Sequence, residues 1–455
     1  MSPVRRVVLL CTFLALVSVP ALFSAGEKGG IGNKSSAACD FPTATFVDPT
    51  AVALGWPTQS QGNVTLGNDV YVAPFAVLAR GQAVEVGRES DVQDNVLVDA
   101  SAGSIVLGKD TILAHGATVV GPARIGVDGV KKCEGTKENP NDTTCRVFVG
   151  FNARVDGGAT IQRDAWVGHL ARVGEGVTVT SGTKVKPGRW VQSNSELKCR
   201  DRVPRKQKCP AEPITDGDRD FMHAVVDVNV EFARAYSELS SSAITGINVN
   251  PCTHFNPNSV LPTLGGVQEA VPGFPNRIIG DVRMTDTEGQ LEGKMGSGIS
   301  LRADEGFFFE VGSIADEGAN GAPGMEDNVT FHALEYPPDF NLNDPTARLV
   351  LGSGGAYGKH IVVHGGPQTV TKTGDGVSIG DWTVFFLSAI PGPTTIGAGS
   401  LVQQSDFYLV RRQPTIGDRE VWMGGKKVWC VEWTPWAPEQ SKNKCSAPSA
   451  PIPEQ

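Results

Sequence analysis

A short motif recurs along almost the whole chain: an aliphatic residue, any residue, a second aliphatic residue, then glycine. It occurs in both halves, for example at residues 64–67, 105–108, 349–352 and 377–380. These runs are too short for the strands of an ordinary sandwich, and their spacing falls repeatedly near multiples of six. Hexapeptide periodicity is typical of a β-helix. The sequence therefore predicts an all-β fold with one helix, built as two tandem left-handed parallel β-helices.

The physical basis of the motif is a triangular prism in which each short strand covers one face of one coil. An aliphatic side chain points inward and stacks on the coil below, while glycine or asparagine takes the backbone conformation of the corner. Each coil buries its apolar side only against neighbouring coils, so several are needed. The 54 glycines are also compatible with a loosely glycine-rich β fold of another kind.

The length of 455 residues favours two domains. Residues 1–25 are predicted to be a signal peptide, because Arg5 and Arg6 precede an apolar run and small residues follow it. A membrane anchor is the alternative. The remaining predicted segments are a first β-helix at 40–200, an α-helix and linker at 216–242, a second β-helix at 250–432, and a proline-rich tail at 433–455. The protein is thus expected to be secreted or periplasmic.

The α-helix is predicted from apolar residues that recur every three or four positions, with Asp216 or Asp218 as its cap. These apolar residues are Phe221, Val225, Val228, Phe232 and Tyr236.

Eight cysteines remain once the signal peptide, with Cys11, is removed. An even number behind an export signal indicates disulfides formed in an oxidising compartment. Three pairs are close in sequence, Cys133 with Cys145, Cys199 with Cys209 and Cys430 with Cys445, which leaves Cys39 and Cys252. The connectivity stays open at this point. The net charge of −9 offers no basic patch for nucleic acid.

Several longer segments resemble the γ-class carbonic anhydrases, in two tandem copies. The matching segments are 48–51, 72–76, 91–94, 114–116 and 121–122 in the first half, and 256–259, 279–282, 300–306, 326–335 and 360–367 in the second. The segment around His223 also resembles the family's C-terminal helix, which packs along the prism.

The resemblance implies a metal site in the second copy, with His332, His360 and His364 as ligands. In the first copy, Asp99 and Val120 stand at the first and third ligand positions, and only His115 remains. Gln82 replaces the acid that follows the arginine, which is assigned to Arg80. A catalytic zinc site needs about three protein ligands, so the first copy is predicted to be metal-free.

The spacing of the last two ligands departs from the family, in which four residues separate them, because only three lie between His360 and His364. Residues four apart on a strand face the same way, whereas residues five apart face opposite ways. Either a bulge near Gly365 and Gly366 restores the geometry, or the ligand set has shifted. A mixed site, in which His115 completes a second-copy centre, is the further alternative.

The resemblance also implies roles for acidic residues. Glu305 and Glu335 match the family's acid and proton-shuttle carboxylates. Arg302, Asp304 and Asp327 match an arginine–acid network at the contact between subunits. Glu326 replaces the glutamine that resembles the hydrogen-bond partner of the metal-bound hydroxide, and a carboxylate there can only accept.

The activity implied is reversible hydration of carbon dioxide to bicarbonate by a metal-bound hydroxide, in a homotrimer. Zinc bound by neutral imidazoles can lower the pKa of its water to about 7. Fe²⁺ or Co²⁺ are alternatives to Zn²⁺, because imidazole suits several transition metals. Two other functions compete: a non-catalytic scaffold or interaction protein, and an acyltransferase, a chemistry that many hexapeptide β-helices carry.

Overall fold

Short parallel strands form nearly all of the regular structure. The computed structural model describes residues 43–48, 50–53, 63–79, 81–199, 209–239, 269–271, 274–318, 321–333, 348–366, 370–408, 410 and 413–443. The predicted signal peptide, Cys39, Cys252 and the end of the predicted tail lie outside these residues.

The first β-helix contains strands β1 to β20, closed by β21. Their bounds are β1 Phe46–Val47, β2 Val52–Ala53, β3 Val64–Leu66, β4 Tyr71–Val72, β5 Val77–Ala79, β6 Val84–Val86, β7 Asp91–Val92, β8 Leu97–Asp99, β9 Ile105–Leu107, β10 Thr111–Leu113, β11 Thr118–Val120, β12 Ala123–Ile125, β13 Val147–Val149, β14 Arg154–Val155, β15 Thr160–Ile161, β16 Ala165–Val167, β17 Arg172–Val173, β18 Thr178–Val179, β19 Thr183–Val185, β20 Trp190–Val191 and β21 Ala211–Pro213.

Within the described residues, three helices follow or interrupt the strands: α1 Asn194–Leu197, α2 Asp216–Leu239 and α3 Glu288–Leu291. The predicted helix is α2, and α1 and α3 are single turns.

The second β-helix contains most of the remaining strands. Their bounds are β22 Glu269–Val271, β23 Phe274–Pro275, β24 Arg277–Met284, β25 Ser300–Val311, β26 Thr330–His332, β27 Arg348–Leu351, β28 Ala356–Tyr357, β29 Val362–His364, β30 Val370–Thr373, β31 Ser378–Ile379, β32 Val384–Phe386, β33 Ala389–Ile390, β34 Thr395–Ile396, β35 Leu401–Gln403, β36 Glu420–Met423 and β37 Lys426–Cys430.

Each coil of the first β-helix crosses three sheets in turn. Face A is the sheet β1-β4-β7-β10-β13-β16-β19-β21, face B is β2-β5-β8-β11-β14-β17-β20, and the third is β3-β6-β9-β12-β15-β18. The pairing is parallel and in register down the stack, apart from the antiparallel β21. The predicted parallel β-helix is therefore confirmed.

The second β-helix repeats this order. Its face A is the sheet β28-β31-β34, and its face B is formed by β26, β29, β32, β35 and β36 together with the start of β25. Inside each β-helix, one aliphatic or aromatic side chain per strand stacks on the next. Val98, Val119 and Val155 do so in the first, and Phe331, Val363 and Phe385 in the second. This stacking is the reason for the six-residue period.

The corner between faces A and B places a residue with positive φ in nearly every coil. In the first β-helix Asn95, Gly116 and Asn152 have φ values of 57°, 70° and 51°. Glycine and asparagine tolerate this conformation. At Gly108, close approach adds to the demand for glycine, because a Cβ would lie 2.0 Å from the carbonyl oxygen of Gly126.

The two β-helices lie side by side, with face A of the first against face B of the second. Phe148, Phe151 and Trp166 of the first share one apolar cluster with Val384 and Phe386 of the second. Helix α2 packs along face A of the first β-helix, where Phe232 and Tyr236 contact the Tyr71 ring. Residues of both β-helices thereby belong to one compact unit.

Two of the predicted disulfides, Cys133–Cys145 and Cys199–Cys209, are present. Cys430 is also disulfide-bonded, while Cys445 lies outside the described residues. In the part of the chain that the structure describes, no helix is long and apolar enough to cross a membrane.

Helix α2 carries a buried carboxylate whose ionisation should weaken the fold. Burial raises the pKa of Glu231 to about 7, and the nearby Asp227 carboxylate adds to this shift while Arg234 opposes it. Because this pKa is above that of a glutamate in the unfolded chain, protonation of Glu231 favours the folded state at acidic pH. This contribution to the free energy of unfolding is lost as the pH rises through about 7.

We expect Glu231→Gln to raise the free energy of unfolding by about 1–3 kcal/mol at pH 8, with a smaller effect at pH 5. Denaturant titration at both pH values measures this difference. Glu85→Gln, at an exposed position, is the matched control and should change little at either pH. An equal gain at pH 5 and pH 8 would contradict the assignment.

Candidate metal centre

Three histidines converge at the seam between the two β-helices. His115 comes from the first β-helix, and His332 and His364 come from the second. One nitrogen of each ring lies within 4.8 Å of the others, and all three residues are buried. His332 Nδ1 and His115 Nε2 are 3.4 Å apart. Three imidazole nitrogens brought together in this way form a donor set that suits Zn²⁺.

The second β-helix positions its two histidines by strand register. His332 pairs with His364 on the neighbouring strand, and Arg302 pairs with His332 on the other side. Phe331 and Val363, which directly precede the two histidines, point into the core instead. Arg302, His332 and His364 therefore form one outward-facing column on face B.

The first β-helix positions His115 at the corner between β10 and β11. The next residue, Gly116, takes the positive φ and donates its N–H to the carbonyl oxygen of Asp94 one coil earlier. The backbone N–H of His115 donates to Gln93 Oε1 at 3.2 Å. The corner thus directs the imidazole out of the first β-helix and toward the second.

Two contacts orient the rings for a metal. His115 Nδ1 lies 3.0 Å from Asp94 Oδ2, and His364 Nδ1 lies 2.6 Å from the carbonyl oxygen of Gly365. When Nδ1 donates in this way, Nε2 is left as the ligand atom. Burial, and then the nearby His332 and His115 rings, hold the pKa of His364 well below its usual value. A neutral imidazole is the form that binds metal.

Asp94 also joins the two β-helices. Its carboxylate accepts from the Ser300 hydroxyl at 2.5 Å and from Arg302 Nη1 at 2.8 Å, and neither Asp94 nor Arg302 is exposed. Burial alone would raise the pKa of Asp94. The Arg302 guanidinium, the His115 ring and the Ser300 hydroxyl outweigh burial and hold that pKa below its ordinary range. Asp94 is therefore an ionised link between a ligand and the opposite β-helix.

The centre borders an apolar wall. Phe151 stacks on His115 and His364, with ring centroids 5.4 and 5.3 Å apart, and Phe386 meets His364 edge-on at 5.6 Å. Beyond Phe151 lies His169, whose pKa is lowered to about 3 by burial and by Lys184. This wall excludes water from one side of the histidines.

The same coil positions in the two β-helices can be compared by register. In the first β-helix, Asp99 pairs with Val120 on one neighbouring strand and with Ala79 on the other. In the second, His332 pairs in the same way with His364 and with Arg302. The arginine position of the first copy is therefore occupied by Ala79, so the assignment to Arg80 is off by one residue. The first copy has lost this half of the site.

The second copy has lost the opposite half. The N–H of His360 donates to the carbonyl oxygen of Asp327, as that of Gly116 donates to Asp94. His360 is therefore the counterpart of Gly116, with φ of 55°, and Lys359 is the counterpart of His115. Each β-helix keeps the half that the other lacks, so the two together complete one centre.

The expected ligand His360 lies outside the group of three histidines. Its ring stacks on Trp382 with centroids 4.0 Å apart, and burial lowers its pKa to about 4. Sequence reasoning chose His360 because it is close to the family spacing, but it occupies the corner itself. The structure assembles His115, His332 and His364 instead, which is the mixed alternative. The sequence does contain a signal for this mixed site, because each copy keeps the ligand motif that the other copy lacks.

The other predicted residues divide between the seam and elsewhere. Glu326 lies near Lys359, 4.0 Å away, and its pKa is raised by burial and by Asp381. Asp327 accepts from the backbone and hydroxyl of Ser297. Neither contacts the histidine group through a described bond, and their counterparts Gln93 and Asp94 occupy the seam. The side chains of Asp304 and Glu305, and all of Glu335, lie outside the described structure.

We predict that His115→Ala and His332→Ala each lower the content of bound metal, such as zinc, from about one ion per chain to near zero, because two imidazoles are too few for this type of site. Metal analysis of the purified variants measures this. His360→Asn, which keeps a residue that tolerates positive φ, is the control and should retain the ion. Loss of zinc only in the His360 variant would restore the original ligand assignment.

We expect Asp94→Asn to lower the free energy of unfolding by about 3–5 kcal/mol, because it leaves Arg302 buried without its counter-charge. Asp327→Asn, at the equivalent corner of the second β-helix, should cost only about 1–2 kcal/mol. Denaturant titrations of the two variants provide the comparison. Equal losses would mean that the ion pair between Asp94 and Arg302 contributes no more to the free energy of unfolding than the hydrogen bonds of Asp327 do.

Three known proteins are similar to parts of this chain. A carbonic anhydrase from Methanosarcina thermophila is 28% identical over 230 residues, covering 44% of this chain and 77% of that protein. A hexapeptide transferase family protein from Anaplasma phagocytophilum is 19% identical, with a TM-score of 0.21, over 42% of this chain and 91% of its own. An acetyltransferase-type protein from Bacillus cereus is 20% identical, with a TM-score of 0.18, over 42% and 91%. No family model matches the chain.

The sequence relative, the tandem β-helices and the seam between them fit the motifs described above. Part of the chain is thus similar to a carbonic anhydrase, in agreement with the γ-class motifs in its sequence.

Proposed function

We propose that this protein catalyses the reversible hydration of carbon dioxide to bicarbonate at the seam between its two β-helices. The observation that carries the proposal is the group of three buried imidazoles, His115, His332 and His364, supplied by both halves of one chain. The identity to a carbonic anhydrase supports the same reaction class.

The three histidines would hold Zn²⁺, with Fe²⁺ or Co²⁺ as alternatives, because neutral imidazole suits each of these ions. When bound, such an ion supplies a hydroxide at neutral pH by lowering the pKa of its water. Asp94 keeps the proton of His115 on Nδ1 and leaves Nε2 for the ion. Gly365 does the same for His364.

The surroundings of the histidines suit a small apolar substrate. Phe151 and Phe386 form a dry wall beside His364, which favours carbon dioxide over water at that side. Glu305 and Glu335 are proposed to accept and pass on the proton that the reaction releases. The side-chain amide at the seam belongs to Gln93. We propose Gln93, in place of Glu326, as the hydrogen-bonding partner of the reacting oxygen.

We also propose that residues 1–25 direct export, and that the two domain spans, 40–200 and 250–432, act as one catalytic unit. The disulfides in the described chain fit an oxidising compartment.

The test is a stopped-flow hydration assay on protein loaded with zinc, and separately with iron or cobalt. We expect activity in the wild-type protein and a loss of roughly 100-fold or more in His332→Ala, since changes one shell further from a metal already cost about 10–100-fold. His360→Asn should keep wild-type activity. Bound metal without hydration under any loading would favour the non-catalytic scaffold instead.

A further inference from the structure

Helix α2 is held on the first β-helix by an ion pair near each end. Near its start, Arg219 donates to both carboxylate oxygens of Asp164, at 2.8 and 2.9 Å. Near its end, Arg234 donates in the same way to Asp69, at 2.9 and 3.0 Å. Bidentate pairs of this kind are among the stronger contacts between side chains. The two arginines therefore clamp the helix at points about four turns apart.

The stretch between these clamps has carboxylates on both sides of the contact. The first β-helix supplies Glu89 and Asp110, in successive coils of the corner between its third sheet and face A, where both have positive φ. The helix supplies Asp227 and Glu231, which lie one turn apart on the same side. We call these four residues the carboxylate stripe. Like charges held close together disfavour ionisation, so an ionised stripe opposes the two clamps.

Protons on the stripe favour the packed helix. Burial raises the pKa of Glu231 to about 7, and Asp227 adds to the shift. Burial also raises the pKa of Asp227 and of Glu89, and Asp110 adds to both shifts. A group whose pKa is raised by folding stabilises the packed state when protonated, and this contribution is lost as the pH rises through about 7. Other charged groups that face the stripe include Arg88, Asp91, Lys109, Asp142, Arg146, His223 and Arg234.

His223 is a further group at which a proton strengthens the contact. Its Nδ1 lies 3.2 Å from Asp142 Oδ2, in the loop closed by the disulfide Cys133–Cys145, and its Nε2 lies 3.2 Å from Asp227 Oδ2. Only an imidazolium carries an N–H on both nitrogens, so only the protonated ring can donate to both carboxylates. Protonation of His223 thus ties helix α2 to this loop. The small cavity beside His223 is lined by further charged groups, which are Glu134, Arg146, Asp164, Arg219 and Asp220.

Another side of helix α2 reaches toward the metal centre. The Arg302 guanidinium lies over the rings of Phe232 and Tyr71, with its central carbon 5.2 and 5.5 Å from their centroids. Arg302 in turn pairs with Asp94, the carboxylate beside His115. A helix that moves away from face A therefore removes one support of the arginine that holds Asp94.

We propose that helix α2 is a pH-sensitive strap, which closes on the first β-helix when the carboxylate stripe and His223 hold protons and loosens when they release them. Because the strap supports Arg302, loosening it also speeds the release of metal from the centre. This goes beyond the proposed activity, since the stripe and the metal centre lie at opposite edges of face A. Asp110 directly precedes β10, whereas His115 follows it.

The test is hydrogen–deuterium exchange of the full chain at pH 6 and pH 8, with labelling times scaled to the intrinsic exchange rate at each pH. Strands β9 and β12, on the third sheet, serve as the internal reference. The opening equilibrium of α2 in the wild type should rise about 10-fold between these pH values, the linkage effect of one carboxyl group whose pKa is about 7 in the packed helix and 4.5 when exposed. Glu231→Gln should remove most of this rise. Glu85→Gln, at an exposed position, is the matched control and should keep it.

Two further measurements separate the parts of the strap. His223→Gln, whose side chain takes up no proton, should lower the protection of α2 at pH 6 and change it little at pH 8. Zinc release from the loaded protein to a chelator should be slower in Glu231→Gln than in the wild type at pH 8, and equal in the two proteins at pH 6.

Three results would overturn the proposal: equal protection of α2 at both pH values in the wild type, a rise in opening that Glu231→Gln retains, or equal zinc release from the wild type and this variant at pH 8. If the protein binds no zinc, the proposed activity fails, whereas the exchange measurements still decide whether the strap responds to pH.

Discussion

The seam between the two β-helices depends on one buried carboxylate. Asp94 of the first β-helix bonds to Arg302 and Ser300 of the second and lies against His115. A charge taken out of water needs both a counter-charge and hydrogen bonds, and Asp94 obtains them only when the β-helices are docked. The contact that holds the halves together is therefore the contact that orients a metal ligand.

Around Asp94, the two copies supply different residues of one centre. The first supplies the corner residues Gln93, Asp94 and His115, and the second supplies the column Arg302, His332 and His364. The positions that face away from the seam carry Ala79, Asp99 and Val120 in one copy and Lys359 in the other. These residues cannot build a second centre of the same kind, since a catalytic zinc site needs about three ligands from imidazole or similar donors.

Much of the fold follows from local sequence. The aliphatic-x-aliphatic-glycine motif specifies strand, inward side chain and corner within six residues, so neither partner strands nor long-range contacts have to be known. Helix α2 could be predicted as well, because the three- and four-residue spacing of its apolar side chains is visible within one short segment. The pairing of His115 with His332 was harder, since it joins residues 217 positions apart across two units. The motifs allowed it as an alternative but could not select it.

The choice between His360 and Lys359 shows where sequence reasoning reaches its limit. A corner residue and the residue before it are adjacent in the chain, yet one takes the positive φ and the other projects to the seam. Only the backbone bond from His360 to Asp327 fixes which is which. The C-terminal segment is a similar case. Residues 433–455 were predicted to be a proline-rich tail, whereas Trp433 packs on the first β-helix and its indole N–H donates to the carbonyl oxygen of Leu170.

Placing both halves of the centre on one polypeptide changes how the site responds to dilution. A centre shared between separate subunits loses ligands when the subunits dissociate, whereas tethered halves meet at an effective concentration set by the intervening chain. The metal affinity of this protein should therefore be independent of its own concentration. Dilution of the protein alone would leave its centre intact.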